Sequence, residues 1–139
     1  MRALKEFFND GARIRRIIRE QQASRSPGRA AGAPGLTCIV LGSGGREYAI
    51  AWRLARCDSV ATIDVVPGNP GMGLFARLVD FDVRDPGRLQ QHLAASHIDL
   101  GIVGPDELVA EGVADTLRRA SVATVGPSRE ASKIEWSKA

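Results

Sequence analysis

The chain has 139 residues, 44% of them hydrophobic, 25% charged and 5% aromatic, the composition of one ordinary globular domain. Apolar runs such as Leu36 to Leu41 fall far short of the ~20 residues that span a bilayer, so no membrane partner is expected. Cys38 and Cys57 sit inside apolar segments, which excludes a disulfide framework or a four-ligand zinc site and suits a reducing, cytoplasmic setting.

The net charge of +3 is unevenly placed. Residues 1–36 hold eight Lys or Arg against three acids, and the rest holds eleven against thirteen. Nucleic-acid domains concentrate positive charge on the folded module, often beside stacking aromatics. Here the basicity belongs to the tail, so no nucleic-acid partner is expected.

Residues 3–22 predict an amphipathic helix, with Leu4, Phe7, Phe8, Ile14 and Ile18 on one broad face. Such a helix suits a partner surface, a membrane surface or a targeting segment, or simply packs on its own domain. Its three acids count against targeting. Residues 23–35, rich in Ser, Gly, Pro, Ala and Arg, read as a flexible linker, which places a domain boundary near Leu36.

Beyond it, short apolar runs alternate with helical stretches. Thr37 to Leu41 predicts a buried strand, followed by Gly42-Ser43-Gly44-Gly45 and a helix from about Arg46 to Cys57. Val60 to Val66 is a second strand, ending in Pro67-Gly68-Asn69-Pro70-Gly71. A short strand near Leu78 to Val83 follows. Asp85-Pro86 has the pattern of an N-cap with proline at the first helical position, opening a helix to about Ser96. Ile98 to Val103 is a strand ending at Gly104-Pro105, Glu107 to Ala120 a helix, and Val122 to Val125 a strand ending at Gly126-Pro127. A last helix opens at Ser128 or Arg129.

Alternating strands and helices predict an α/β, Rossmann-like fold: a parallel sheet with helices on both faces. Such sheets bind ligands beyond the carboxyl ends of their strands, at the switch point of strand order. The loops after Leu41, Val66, Val103 and Val125 should therefore gather at one edge and form one cleft.

The sharpest local signal is Gly42-Ser43-Gly44-Gly45-Arg46-Glu47. Glycines admit an anion close to the backbone, and the following helix start carries unpaired N–H groups. A phosphate site and a plain strand-to-helix turn both fit. Arg46 could contact phosphate or be solvated, and Glu47 could orient an amine or Arg46, or favour the helix dipole. The dinucleotide fingerprint G-x-G-x-x-G is incomplete, because Glu47 stands where its third glycine belongs. Asp64, 20 residues after Gly44, could bind a ribose or be a polar position on a partly exposed strand. Asp106 could bind an amine or ribose hydroxyls, or cap a helix. His92 and His97 lack further ligands at metal spacing, so no metal is expected. No Ser/His/Asp or Cys/His arrangement for nucleophilic catalysis is evident.

Taken together, Cys38 to Trp52, Pro67 to Gly71, Val103 to Asp106, Val125 to Ser128 and Ser137 to Ala139 resemble the N-terminal, pre-ATP-grasp domain of phosphoribosylamine–glycine ligases, also called glycinamide ribonucleotide synthetases. The resemblance runs from about Thr37 to Ala139. It implies a part in joining glycine to 5-phosphoribosylamine with ATP, through a glycyl phosphate, in de novo purine synthesis. It implies that Gly42, Ser43, Gly44, Gly45, Arg46, Glu47, Pro67, Gly68, Asn69, Gly104, Pro105 and Asp106 bind the phosphosugar, and that Lys138 is directed toward nucleotide phosphates.

In the family, ATP and Mg²⁺ are held by an ATP-grasp module that follows this domain. The chain stops at Ala139, so it is expected to carry no cofactor or catalytic residue, to lack ligase activity alone, and to have a separate ATP-grasp polypeptide as a candidate partner. Tyr48 stands where the family has histidine, and Asp106 where it has glutamate. Two other readings remain open on the residues themselves: a non-catalytic nucleotide- or dinucleotide-binding module, motivated by Asp64, and an interaction or structural remnant, motivated by the tail.

Overall fold

The computed structural model describes residues 35–136. The helix expected over 3–22, nearly all of the linker and Lys138 lie outside the described residues. Five segments become strands: β1 (Leu36–Gly42), β2 (Val60–Pro67), β3 (Arg77–Leu78), β4 (Leu100–Val103) and β5 (Ala123–Val125). All pair in parallel, in the order β3-β2-β1-β4-β5.

Parallel neighbours need crossovers. They are supplied by α1 (Gly45–Leu54), a 3₁₀ turn (Met72–Leu74), α2 (Pro86–Ser96), and the pair α3 (Asp106–Ala110) and α4 (Val113–Arg119). Helix α5 (Arg129–Trp136) follows β5.

Residues 38–42 of β1 are buried without a break, the pattern of a strand covered on both faces. Side chains alternate across it. Ile39 and Leu41 pack with Leu89 and Leu93 of α2 and Leu117 of α4, while Val40 packs with Ala51 of α1, Val65 and Met72. The Rossmann-like α/β architecture with helices on both faces is therefore present. From β1 the chain runs outward through β2 and β3, then returns by α2 to lay β4 on the other flank. The order reverses between β1 and β4, and the crevice beyond their carboxyl ends is where such sheets take ligands.

Several local expectations are corrected. The first helix ends at Leu54 instead of reaching Cys57, which sits in a turn where its carbonyl accepts the Val60 N–H at 3.1 Å. The strand expected over Leu78 to Val83 shrinks to Arg77–Leu78, because Val79, Phe81 and Val83 are loop residues anchored in the core. The helix expected over Glu107 to Ala120 breaks at Gly112, whose φ of +83° lies outside the helical region.

Asp64 is not on a partly exposed face. It is fully buried, with both carboxylate oxygens forked by Arg77 at 2.7 and 2.6 Å and Oδ2 also 2.8 Å from His92 Nε2. Strand β3 and helix α2 cover it and bring their own polar partners, as a buried carboxylate requires. Asp85 caps α2 as expected, accepting the N–H groups of Gly87 and Arg88 at 2.9 and 3.1 Å.

Candidate functional site

The glycine turn and the Gly104-Pro105 loop face each other across the switch point. Strand β1 ends at Gly42, whose φ of +127° is closed to other residues without strain. The chain then passes Ser43 and Gly44, the N-cap, and enters α1 at Gly45. The Glu47 carboxylate turns back so that Oε2 accepts the Gly44 N–H at 3.0 Å and Oε1 accepts Arg46 Nε at 3.2 Å. The Arg46 guanidinium reaches over and donates to the Gly104 carbonyl. On the far side, the Gly104 N–H donates to the Leu41 carbonyl at 3.4 Å. Pro105 is the N-cap of α3 and Asp106 its first residue, so Asp106 is not the cap.

The loop after β2 joins this arrangement from the flank. The Val66–Pro67 bond is cis, Gly68 has φ +70°, and its N–H donates to the Gly42 carbonyl at 3.2 Å. Asn69 donates from Nδ2 to the Ser43 carbonyl at 2.9 Å and accepts the Met72 N–H on Oδ1 at 3.3 Å. One side chain thus fastens the second loop to the first.

A cleft of about 380 Å³ opens beside the crossing, within the size range of small-molecule sites. Arg46, Gly104 and Asp106 line it, over an apolar floor that includes Ile102 and Val103. Of the expected residues it brings these three together. Gly42 to Gly45, Glu47, Pro67, Gly68, Asn69 and Pro105 do not line it; Glu47 holds Arg46, and Gly68 and Asn69 fasten the second loop to Gly42 and Ser43. The end of β5 contributes Val125, the loop after it Pro127, and α5 Ser132. The Gly126-Pro127 break foretold the loop; a serine inside a helix gave no sign of Ser132. Tyr48 turns away, packing edge-on against Phe75 at 5.4 Å between ring centroids.

Ser96, His92 and Asp64 lie together, yet Ser96 Oγ (3.5 Å) and Asp64 Oδ2 (2.8 Å) both address His92 Nε2. A proton relay needs its serine and its acid on opposite ring nitrogens, so this cluster is structural. Burial pushes the Cys38 thiol above its ordinary pKa, with Asp99 adding to the effect, which makes it a poor nucleophile. No three His, Cys, Asp or Glu among the described residues are grouped to hold a metal ion, and no described helix is long and apolar enough to cross a membrane.

A parallel sheet of this order, with a glycine turn after β1 and a cleft at the switch point, defines a Rossmann-like α/β domain. A family model described as "Phosphoribosylglycinamide synthetase, N domain" matches residues 36–135. The chain belongs to that family.

Its curated relatives carry the name phosphoribosylamine–glycine ligase. The one from Mesorhizobium japonicum is 39% identical over 103 residues, covering 74% of this chain and 24% of that protein. The one from Agrobacterium fabrum is 40% identical over 100 residues, covering 72% and 24%. The chain thus spans about a quarter of the length of the curated relatives it matches. A solved structure titled "Crystal structure of RSP in complex with beta-NADH" superposes with a TM-score of 0.45 at 21% identity, over 74% of this chain and 59% of that one. A likeness of that degree bears on no ligand.

Proposed function

We propose that this chain is the phosphoribosylamine-binding domain of a phosphoribosylamine–glycine ligase, working in the cytoplasm in de novo purine synthesis. The observation that carries the reading is the meeting of Arg46, Gly104 and Asp106, from two loops far apart in sequence, in one cleft at the switch point. Arg46 offers a charge-assisted contact for the 5-phosphate. Asp106 offers an acceptor for the ribosylamine nitrogen or a ribose hydroxyl, and the contact of Arg46 with the Gly104 carbonyl holds the two loops together. Family membership supports the same substrate.

In this proposal ATP and Mg²⁺ belong to an ATP-grasp module, whether it continues the polypeptide or is a separate partner, and Lys138 serves as a contact for nucleotide phosphates. Bound there, ATP would supply the phosphoryl group that activates the glycine carboxylate, with ADP leaving, and the amine would then displace phosphate. The residues described here bind and orient the amine and leave that activation to the other module. The 139-residue chain alone therefore forms no product from ATP, glycine and phosphoribosylamine.

The dinucleotide reading loses its motive, because the Asp64 carboxylate is buried and held by Arg77 and His92. Calorimetric titration with ribose 5-phosphate and, in parallel, NAD tests the proposal. Saturable heat with the phosphosugar and none with NAD is expected. The opposite pattern would overturn it.

A further inference from the structure

The glycines at the switch point share one neighbour, and it is a side chain of this protein. A Cβ built on Gly104 would fall 1.9 Å from Glu47 Oε1, one on Gly44 2.8 Å from Glu47 Oε2, and one on Gly42 2.7 Å from Glu47 Cγ. All are far inside the separation of packed atoms. Gly45 differs: a Cβ there meets nothing within 4 Å. Glu47 itself is only 4% exposed, a place glutamate occupies only when its charge is paired. Both oxygens are engaged, Oε2 by the Gly44 N–H and Oε1 by Arg46 Nε, and Arg46 passes the connection on to the Gly104 carbonyl.

We propose that Glu47 is a positioning residue for substrate binding, cradled by Gly42, Gly44 and Gly104, and that its buried carboxylate aims Arg46 across the mouth of the cleft. The glycine spacing that resembles a phosphate cradle is therefore a carboxylate cradle. An anion cannot take the Gly44 amide without displacing a group of its own sign. The substrate's phosphate is met instead by Arg46, which lines the cleft and most of whose donors remain free. The phosphate step rests on the phosphosugar reading above; the cradle does not.

Two experiments separate these parts. The first is a stability cycle of Gly104→Ala, Glu47→Ala and the double variant, followed by thermal unfolding. Gly104 is chosen because its φ is not positive, so alanine there reports the clash alone. Gly104→Ala should lower the melting temperature by roughly 5 °C or more, and should cost much less once Glu47 is alanine, as expected for residues in direct contact. If Gly104→Ala abolishes folding, recovery of a cooperative melt in the double variant is the expected result. Additive losses would overturn the cradle.

The second experiment uses Glu47→Gln, which keeps the shape and removes the charge. It should melt near the wild-type temperature, lose the ordered Arg46 Nε–H signal in ¹H–¹⁵N spectra, and bind ribose 5-phosphate about tenfold more weakly. Retention of both the signal and the affinity would overturn the positioning role. Failure of the unsubstituted chain to bind ribose 5-phosphate would sink the phosphosugar reading, while the cycle and the Arg46 signal would still decide what Glu47 does.

Discussion

Arg77→Met tests how the exposed edge of the sheet is held. The Arg77 side chain is 56% exposed, yet its guanidinium forks both oxygens of Asp64, which is 0% exposed. Removing it leaves a buried carboxylate with His92 Nε2 as its one remaining ionisable contact in this cluster. Breaking a fully buried pair costs about 3–5 kcal/mol. Because Arg77 stands half in water, screening reduces this to about 2 kcal/mol. In a domain of ~100 residues, each kcal/mol moves the melting temperature by roughly 4–8 °C, so a fall of roughly 8–16 °C is expected by circular dichroism at pH 7. The double variant with Asp64→Asn should melt higher than Arg77→Met alone, since no charge is then left buried. Arg84→Met is the control: it breaks an ion pair with Glu111 whose side chains are 54% and 43% exposed, and the melt should not move. An Arg77→Met melt that overlays the wild type would refute the assigned role of the Asp64 cluster.

Four further outcomes are expected. In the folded chain a thiol reagent should label the half-buried Cys57 and spare Cys38, which should react only on unfolding; equal labelling rates would contradict its burial. Since the folded state holds the Cys38 proton where the unfolded chain has released it, this contribution to stability is full below the ordinary thiol range of ~8.5. It is lost as pH rises through the raised value, so the melting temperature should fall at alkaline pH, and less so in Cys38→Ala. Gly112→Ala forces a left-handed conformation on a side chain at φ +83° and should cost about 1–2 kcal/mol in urea unfolding. Asp85→Ala removes the cap of α2 and should cost about 1 kcal/mol in the same assay, with faster amide exchange confined to the first turn of α2.

Much of the sheet is legible in the residues because its central strands are continuous apolar runs cut off by Gly and Pro. β1, β2 and β4 can be located that way, β5 at the edge by its Gly126-Pro127 stop, and Asp85-Pro86 announces α2. What escapes are choices made by tertiary contacts. Asp64 reads as exposed because a charge inside a strand usually is; its burial depends on Arg77 and His92, which arrive from elements 13 and 28 residues away. The break at Gly112 hides inside a pattern that otherwise suits one long helix. At the candidate site, Arg46, Gly104 and Asp106 were marked by their places beside glycine breaks. The packing of Glu47 among three glycines was not, since one sequence pattern serves a bound anion and a buried carboxylate equally.

The phosphosugar binding proposed for the switch-point cleft is tested most directly by mapping amide shifts of the ¹⁵N-labelled chain during titration with ribose 5-phosphate. Saturable shifts concentrated at Gly45, Arg46, Gly104 and Asp106 are predicted. Shifts gathered at the opposite end of the sheet, around Leu36 and His97, or no shifts at any concentration, would contradict it.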